Sequence, residues 1–131
     1  MRYLLDANAV IALLNDITSK PARRARREKP GDIAISAVVA HELFYGAFKS
    51  RRPMQNAALV DALQFAVLEF DKEDARQAGQ VRAFLSSTGT PIGPYDVLIA
   101  GQALARNMIL VTHNTYEFGC VPGLRIEDWQ T

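Results

Sequence analysis

The sequence predicts an α/β fold built on a mainly parallel sheet. Two observations carry that prediction. Short apolar runs of strand length recur along the chain, and stretches with helical spacing of their apolar residues fill the intervals between them. Tyr3 to Leu5 and Ile33 to Ile35 are apolar on consecutive residues, as expected for a sheet covered by helices on both faces. Ligands of such sheets gather beyond the carboxyl ends of the strands, so the residues just after each strand are the first candidates for a site.

Taken in order, Tyr3 to Leu5 reads as a first buried strand, followed by a short helix from Asn8 to Leu14 and another from Pro21 to Glu28. Ile33 to Ile35 is a second strand. Ser36 is a good N-cap for a helix to Phe48, with Val39, Leu43 and Ala47 at helical spacing. Pro53 suits the first turn of a helix to Val67. Leu68 to Phe70 reads as a strand, and Asp71 with Asp74 three residues on caps a helix to about Ser87. The breaker Thr88-Gly89-Thr90-Pro91 ends it, and Pro94 to Arg106 is the last long helix. Ile109 to Thr112 and Leu124 to Ile126 complete the strands. There is no repeat, low-complexity tract or long linker, so residues 1–131 are read as one domain.

With 49% hydrophobic and 22% charged residues, 131 residues suffice for one core without staples. The single cysteine, Cys120, cannot form an internal disulfide, and the N-terminus lacks the pattern of a secretory signal. A reducing, cytoplasmic setting is expected. No apolar stretch reaches the roughly 20 residues needed to span a bilayer, so no membrane role is expected. The net charge of +1 gives no whole-protein case for nucleic-acid binding. Its distribution does, because Lys20, Arg23, Arg24, Arg26, Arg27 and Lys29 lie together. Lys20, Arg23, Arg24 and Arg27 fall at i, i+3, i+4 and i+7 and would form one basic stripe, suited to RNA phosphates, to solvent or to an acidic partner.

Four acidic residues stand where the local pattern calls for something else. Asp6 ends the first strand, and Glu42 shares a helical face with Val38, Val39 and Gly46. Asp96 opens a helix on the face of Ile99, Ala100 and Ala103, and Glu117 follows a late strand near Asn114. Each has an ordinary explanation. Asp6 could cap a helix, Glu42 could form a surface ion pair, Asp96 could complement a helix dipole, and Asn114 with Glu117 could belong to a turn. Their conjunction is harder to explain so. Two carboxylates about 4 Å apart repel by roughly 4 kcal/mol at an effective dielectric near 20, which argues for a hard divalent cation, Mg²⁺ or Mn²⁺. His41 and His113 have no evident partners in the sequence. Tyr95 reads as a packing residue that could also stack on a base, and Trp129 as closing the core.

Leu4-Leu5-Asp6-Ala7-Asn8, Ser36 to Leu43, Ile92-Gly93-Pro94-Tyr95-Asp96, and Leu110 to Asn114 with Glu117-Phe118 resemble, in order and spacing, the motifs of PIN-domain ribonucleases. The likeness is greatest to VapC toxins of bacterial toxin–antitoxin pairs. It implies a compact α/β/α sandwich, metal-dependent RNA cleavage, a homodimer, and inhibition by a small VapB-like antitoxin. By position, Asp6, Glu42 and Asp96 match the family's acidic metal site. Asn114 falls where many members carry a further aspartate, and Glu117 would supply the missing charge. Ala7 replaces a threonine or serine often found there.

The leading expectation is therefore an endoribonuclease whose acids hold one or two Mg²⁺ ions, leaving 5′-phosphate and 3′-hydroxyl ends. Structured RNA, transfer RNA above all, is the target that the resemblance implies. Asp6, Asp96 and Glu42 are the expected ligands, with Asn114 and Glu117 at a second cation or its waters. Aspartyl-phosphate phosphatases and receiver domains also place an Asp after a first strand, but they need a nearby second acid and a late lysine. Here Asn8 stands two residues on, and no lysine follows Lys72. A binding module with a depleted metal site and a housekeeping PIN nuclease are the remaining alternatives.

Overall fold

A computed structural model describes residues 1–131. The elements run β1 (Tyr3–Leu5), α1 (Ala7–Asn15), α2 (Lys20–Arg27), a 3₁₀ turn (Pro30–Asp32), β2 (Ile33–Ser36), α3 (Ala37–Phe48), α4 (Pro53–Asp61) and β3 (Ala66–Leu68). They continue with α5 (Lys72–Ser87), α6 (Pro94–Ala105), β4 (Ile109–Val111), α7 (Thr115–Phe118) and β5 (Ile126–Glu127). The five strands form one sheet in the order β3-β2-β1-β4-β5, and every pairing is parallel.

The sheet is built outward in one direction from β1 to β3, then the chain crosses back to place β4 on the other side of β1. That reversal makes the gap between β1 and β4 a topological switch point, where a crevice opens beyond the strand ends. The three central strands are buried on every residue, as their unbroken apolar runs require, and Val39, Leu85, Ile99, Ala100 and Phe118 join them in the core. Trp129 closes one end, its ring edge-on to Tyr3 at 5.2 Å between centroids.

The sequence expectations fail at three places. The helix expected to reach Val67 stops at Asp61, because the chain must turn to lay Ala66 beside Ala34 of β2. The strand expected over Leu68 to Phe70 therefore lies over Ala66–Leu68, and the backbone carbonyl of Glu69 serves instead as acceptor for Gln102 and Arg106. The strand expected from Leu124 is only Ile126–Glu127, set by its register with Leu110 and Val111. The stretch after Asn114 also holds a short helix, α7, that its composition does not announce.

Helices α5 and α6 are clamped tightly. A Cβ at Gly101 would collide with the backbone of Ala78, so glycine is needed for the two helices to approach. Beside this crossing the fully buried Asp74 accepts from Gln102 Nε2 at 3.0 Å and from Arg106 Nε and Nη2 at 3.1 and 3.0 Å. The clamp holds α6 against α5.

Candidate active site

Three of the four predicted acids are carried to the switch point by neighbouring elements. Asp6 follows β1 directly. Its backbone N–H donates to Val111 of β4, and its Oδ1 accepts from Ala9 N at 2.8 Å as the N-cap of α1. Glu42 sits on α3, six residues beyond the N-cap Ser36 and therefore about 9 Å along the helix from the end of β2. Asp96 lies in the first turn of α6, whose N-cap is Gly93. A Cβ at Gly93 would stand only 3.2 Å from Asp96 Oδ2, so the missing side chain leaves that carboxylate room to fold back over the helix start.

These carboxylates share one electrostatic environment. Burial pushes the Asp6 carboxyl above its ordinary range, opposed by the nearby Thr112 hydroxyl and the Ala9 N–H, while Asp128 adds to the rise and His113 opposes it. Glu42 is raised by burial first, then by Asp96, with Asp6 adding and His41 opposing. Asp96 is raised by burial, then by Glu117 and Asp6. Each group thus feels negative charge from at least one other acid across a partly dehydrated rim, Asp128 acting on Asp6, Asp96 and Asp6 on Glu42, and Glu117 and Asp6 on Asp96. In addition, Glu42 Oε1 is buried with no hydrogen-bond partner.

An orphaned carboxylate oxygen amid mutually repelling acids fits a hard cation. No three of the acidic side chains close around a single point. An ion held here would take one or two protein carboxylates and complete its shell with waters and phosphate oxygens.

Asn114 and Glu117 are joined to each other. Asn114 caps α7, accepting from Glu117 N, and its Nδ2 donates to Glu117 Oε2 at 2.9 Å. The amide occupies one face of the glutamate that in turn presses on Asp96. Asn114 therefore orients the fourth acid.

Sequence reasoning missed a fifth acid. Asp128 Oδ2 lies at hydrogen-bond distance, 2.9 Å, from His113 Nδ1, and the Asp128 charge bears on Asp6. The only signal was its place two residues after a short late strand. His41, which also lacked a partner in the sequence, meets the Tyr95 ring edge-on at 5.2 Å.

The basic stripe lies on α2 and lines a cleft of about 580 Å³ with Asp128, Trp129 and Thr131. Lys20, Arg23 and Arg27 are exposed. Arg24 departs from the expectation of a free RNA contact. It is paired with Glu28 at 3.0 Å and Glu127 at 3.2 Å, donates to Tyr3 Oη, and lies over the Trp129 ring at 5.2 Å. It fastens α2 to the end of the sheet, because its i+4 neighbour is an acid and its reach covers an aromatic pair.

A parallel sheet with buried and half-buried acids at its switch point and a basic cleft alongside suits a hydrolase of anionic polymers. The chain belongs to the PIN-domain family, whose model matches residues 3–119, and it is a nuclease of the VapC type. It is 42% identical to the tRNA(fMet)-specific endonuclease VapC of Shigella flexneri and 34% identical to ribonuclease VapC2 of Haemophilus influenzae, each alignment covering 98% of both chains. Its structure superposes on VapBC of Salmonella typhimurium, solved bound to DNA, with a TM-score of 0.93 at 39% identity over 98% of each chain. VapBC-1 of nontypeable Haemophilus influenzae gives 0.90 at 31% identity over 100% of each. Divalent-metal dependence is general to such nucleases, and no helix is long and apolar enough to cross a membrane.

Proposed function

We propose that this chain is the toxin of a toxin–antitoxin pair, an endoribonuclease that cuts structured RNA, transfer RNA in particular, with Mg²⁺ and with Mn²⁺ as substitute. The observation that carries the reading is the orphaned Glu42 oxygen among Asp6 and Asp96, all three raised by burial, with Glu42 raised further by Asp96 and Asp6, and Asp96 raised further by Glu117 and Asp6. Asp6 and Asp96 would hold the ion directly and Glu42 through one of its waters, with Glu117 at its outer waters and Asn114 fixing Glu117. When bound, the cation supplies positive charge to the phosphate and acidifies a water. The chain's own part is to fix Asp6 before substrate arrives, through the α1 cap. Purified protein incubated with total cellular RNA tests this. Cuts with 5′-phosphate ends in Mg²⁺ or Mn²⁺, absent in EDTA, are expected; metal-independent cutting would overturn it.

The exposed cations of the α2 cleft would carry the RNA backbone toward Asp6. Replacing Lys20, Arg23 and Arg27 with Ala is expected to raise KM at least tenfold and to flatten the salt dependence of binding by about 0.7 in log–log slope for each phosphate that is no longer neutralised. Binding measured by fluorescence anisotropy across a salt series checks it. Arg24→Ala should act differently, lowering Tm because Glu28, Glu127 and Trp129 are then left without their shared cation.

We further propose a homodimer acting in the cytoplasm, held in check by a small VapB-like antitoxin with which it forms a larger complex. The solved relatives named above are toxin–antitoxin complexes, and this chain offers a suitable groove. Ile11 and Leu14 of α1, Leu43 and Ala47 of α3 and Leu59 of α4 line a hollow of about 410 Å³ that also includes Glu42. An apolar helix face would bury against it, and an adjacent arginine would reach the acids and bind a carboxylate through both nitrogens. Leu14→Asp with Leu59→Asp should weaken inhibition by the neighbouring small protein at least tenfold without loss of RNA cleavage. Unchanged inhibition in a titration of activity would place the partner elsewhere.

A further inference from the structure

The rings flanking the acids have a feature that packing does not explain. Tyr95 immediately precedes Asp96, and His41 immediately precedes Glu42, so α6 and α3 each present an aromatic ring beside a carboxylate of the site. The two rings meet edge to face at 5.2 Å with an interplanar angle of 62°. This contact bridges the two helices at the mouth of the acidic rim, yet Tyr95 stays 46% exposed and His41 is exposed as well. A tyrosine recruited only to the core would be buried, since its ring is the chief source of its stabilising effect. An edge-to-face pair instead fixes the orientation of both rings while a face remains open to solvent.

We propose that His41 and Tyr95 form a stacking platform for one unpaired nucleobase next to the scissile phosphate, and that this platform determines where an RNA is cut. The inference rests on the nuclease reading of the acids. If a phosphate lies against Asp96 and Glu42, the base of an adjoining nucleotide is one ribose away, and the only exposed rings next in sequence to those acids are these two. The basic cleft on α2 includes Asp128, whose charge acts on Asp6, and includes neither His41 nor Tyr95. Backbone and base would thus be gripped by separate parts of the surface. Bases within a duplex are stacked on one another and cannot turn a face to a protein ring, so the platform favours loops and bulges.

The test uses a stem–loop that the wild-type protein cuts, in intact form and with a single abasic nucleotide on either side of the cut bond. Wild type is expected to lose about 10- to 100-fold in kcat/KM when the abasic position lies on one particular side. Tyr95→Ala should lose as much on intact RNA and show little further loss on the abasic RNA. Tyr95→Phe should behave as wild type, and His41→Ala should fall between. Stabilisation of each variant by Mg²⁺, read as a Tm shift, should match wild type and thereby show that the fold and acids are undisturbed. Equal cleavage of all three RNAs by wild type overturns the platform alone. So does a Tyr95→Ala protein that keeps the full preference for intact RNA, or one whose cleavage is normal while inhibition by the partner is weakened, which would assign the ring to protein contact. No cleavage of any RNA by wild type in Mg²⁺ or Mn²⁺ would overturn the reading of the acids first, and the platform with it.

Discussion

Asp6→Asn or Asp96→Asn is expected to lower RNA cleavage by on the order of 10³-fold or more, which corresponds to about 4 kcal/mol of lost transition-state stabilisation. The fold should survive. Asn is as good an N-cap as Asp, so the bond from Ala9 to residue 6 is retained in the variant. In both variants the amide keeps shape and loses the charge that attracts a cation. Mg²⁺ should then cease to raise Tm, whereas wild type should gain up to about 2.7 kcal/mol at one hundred times the dissociation constant. Cleavage at wild-type rate by either variant, measured in single turnover, would remove that acid from the metal site.

The same variants should alter the pH dependence of stability in the metal-free protein. Asp6, Glu42 and Asp96 all hold their protons more tightly folded than unfolded. Between the ordinary carboxyl range and their raised values the folded state binds more protons, so stability falls as pH rises through that window. Above it the ionised acids repel at full strength. Neutralising Asp6 should therefore raise the Tm of the metal-free protein by a few degrees at neutral pH and flatten this slope. Mg²⁺ should flatten it too, by neutralising the same charges.

How much of this was legible in the chain depends on the reach of the interactions involved. The α3 cap at Ser36, the Asp71 and Asp74 capping box and the central strands are set by residues a few positions apart, and the sequence shows them directly. The acids were legible because Glu42 interrupts an apolar helix face and Asp6 and Asp96 stand at element boundaries. The edge strands were misplaced because a parallel edge is two or three residues long and its position is set by register with a distant partner, Ala34 with Ala66 and Val111 with Glu127. Asp128 was invisible for a related reason. Its role comes from His113 and Asp6, brought near by the pairing of β4 with β5. Arg24 looked like its neighbours Arg23 and Arg27 because helical spacing gives direction without distance, and Glu127 and Trp129 lie a hundred residues on.

Asp74→Ala is expected to cost about 3 to 5 kcal/mol of stability, a large share of the 5 to 15 kcal/mol typical of a domain. Its carboxylate is fully buried and accepts from the Asp71 backbone, from Gln102 and twice from Arg106. Truncation would take the shared carboxylate from Gln102 Nε2 and from the Arg106 guanidinium, leaving them the Glu69 carbonyl and, for Arg106, Asp71, while Gln102 Oε1 already lacks a partner. Tm should fall by roughly 10 °C or more. Asp74 is lowered despite its burial, mainly through Arg106, so its contribution is complete above the ordinary carboxyl range and is lost as pH falls through its depressed folded value. This slope runs opposite to that of Asp6, and the two are separable by variant. Arg106→Leu should be costly as well, and the double variant less costly than the sum, since each partner's removal strands the other. Because the cluster acts on α6 from behind, RNA cleavage well below Tm should stay within a few-fold of wild type in Asp74→Ala. A cleavage loss approaching that of Asp96→Asn, with Tm nearly unchanged, would mean that the clamp sets the aim of Asp96 and contributes little to holding the fold.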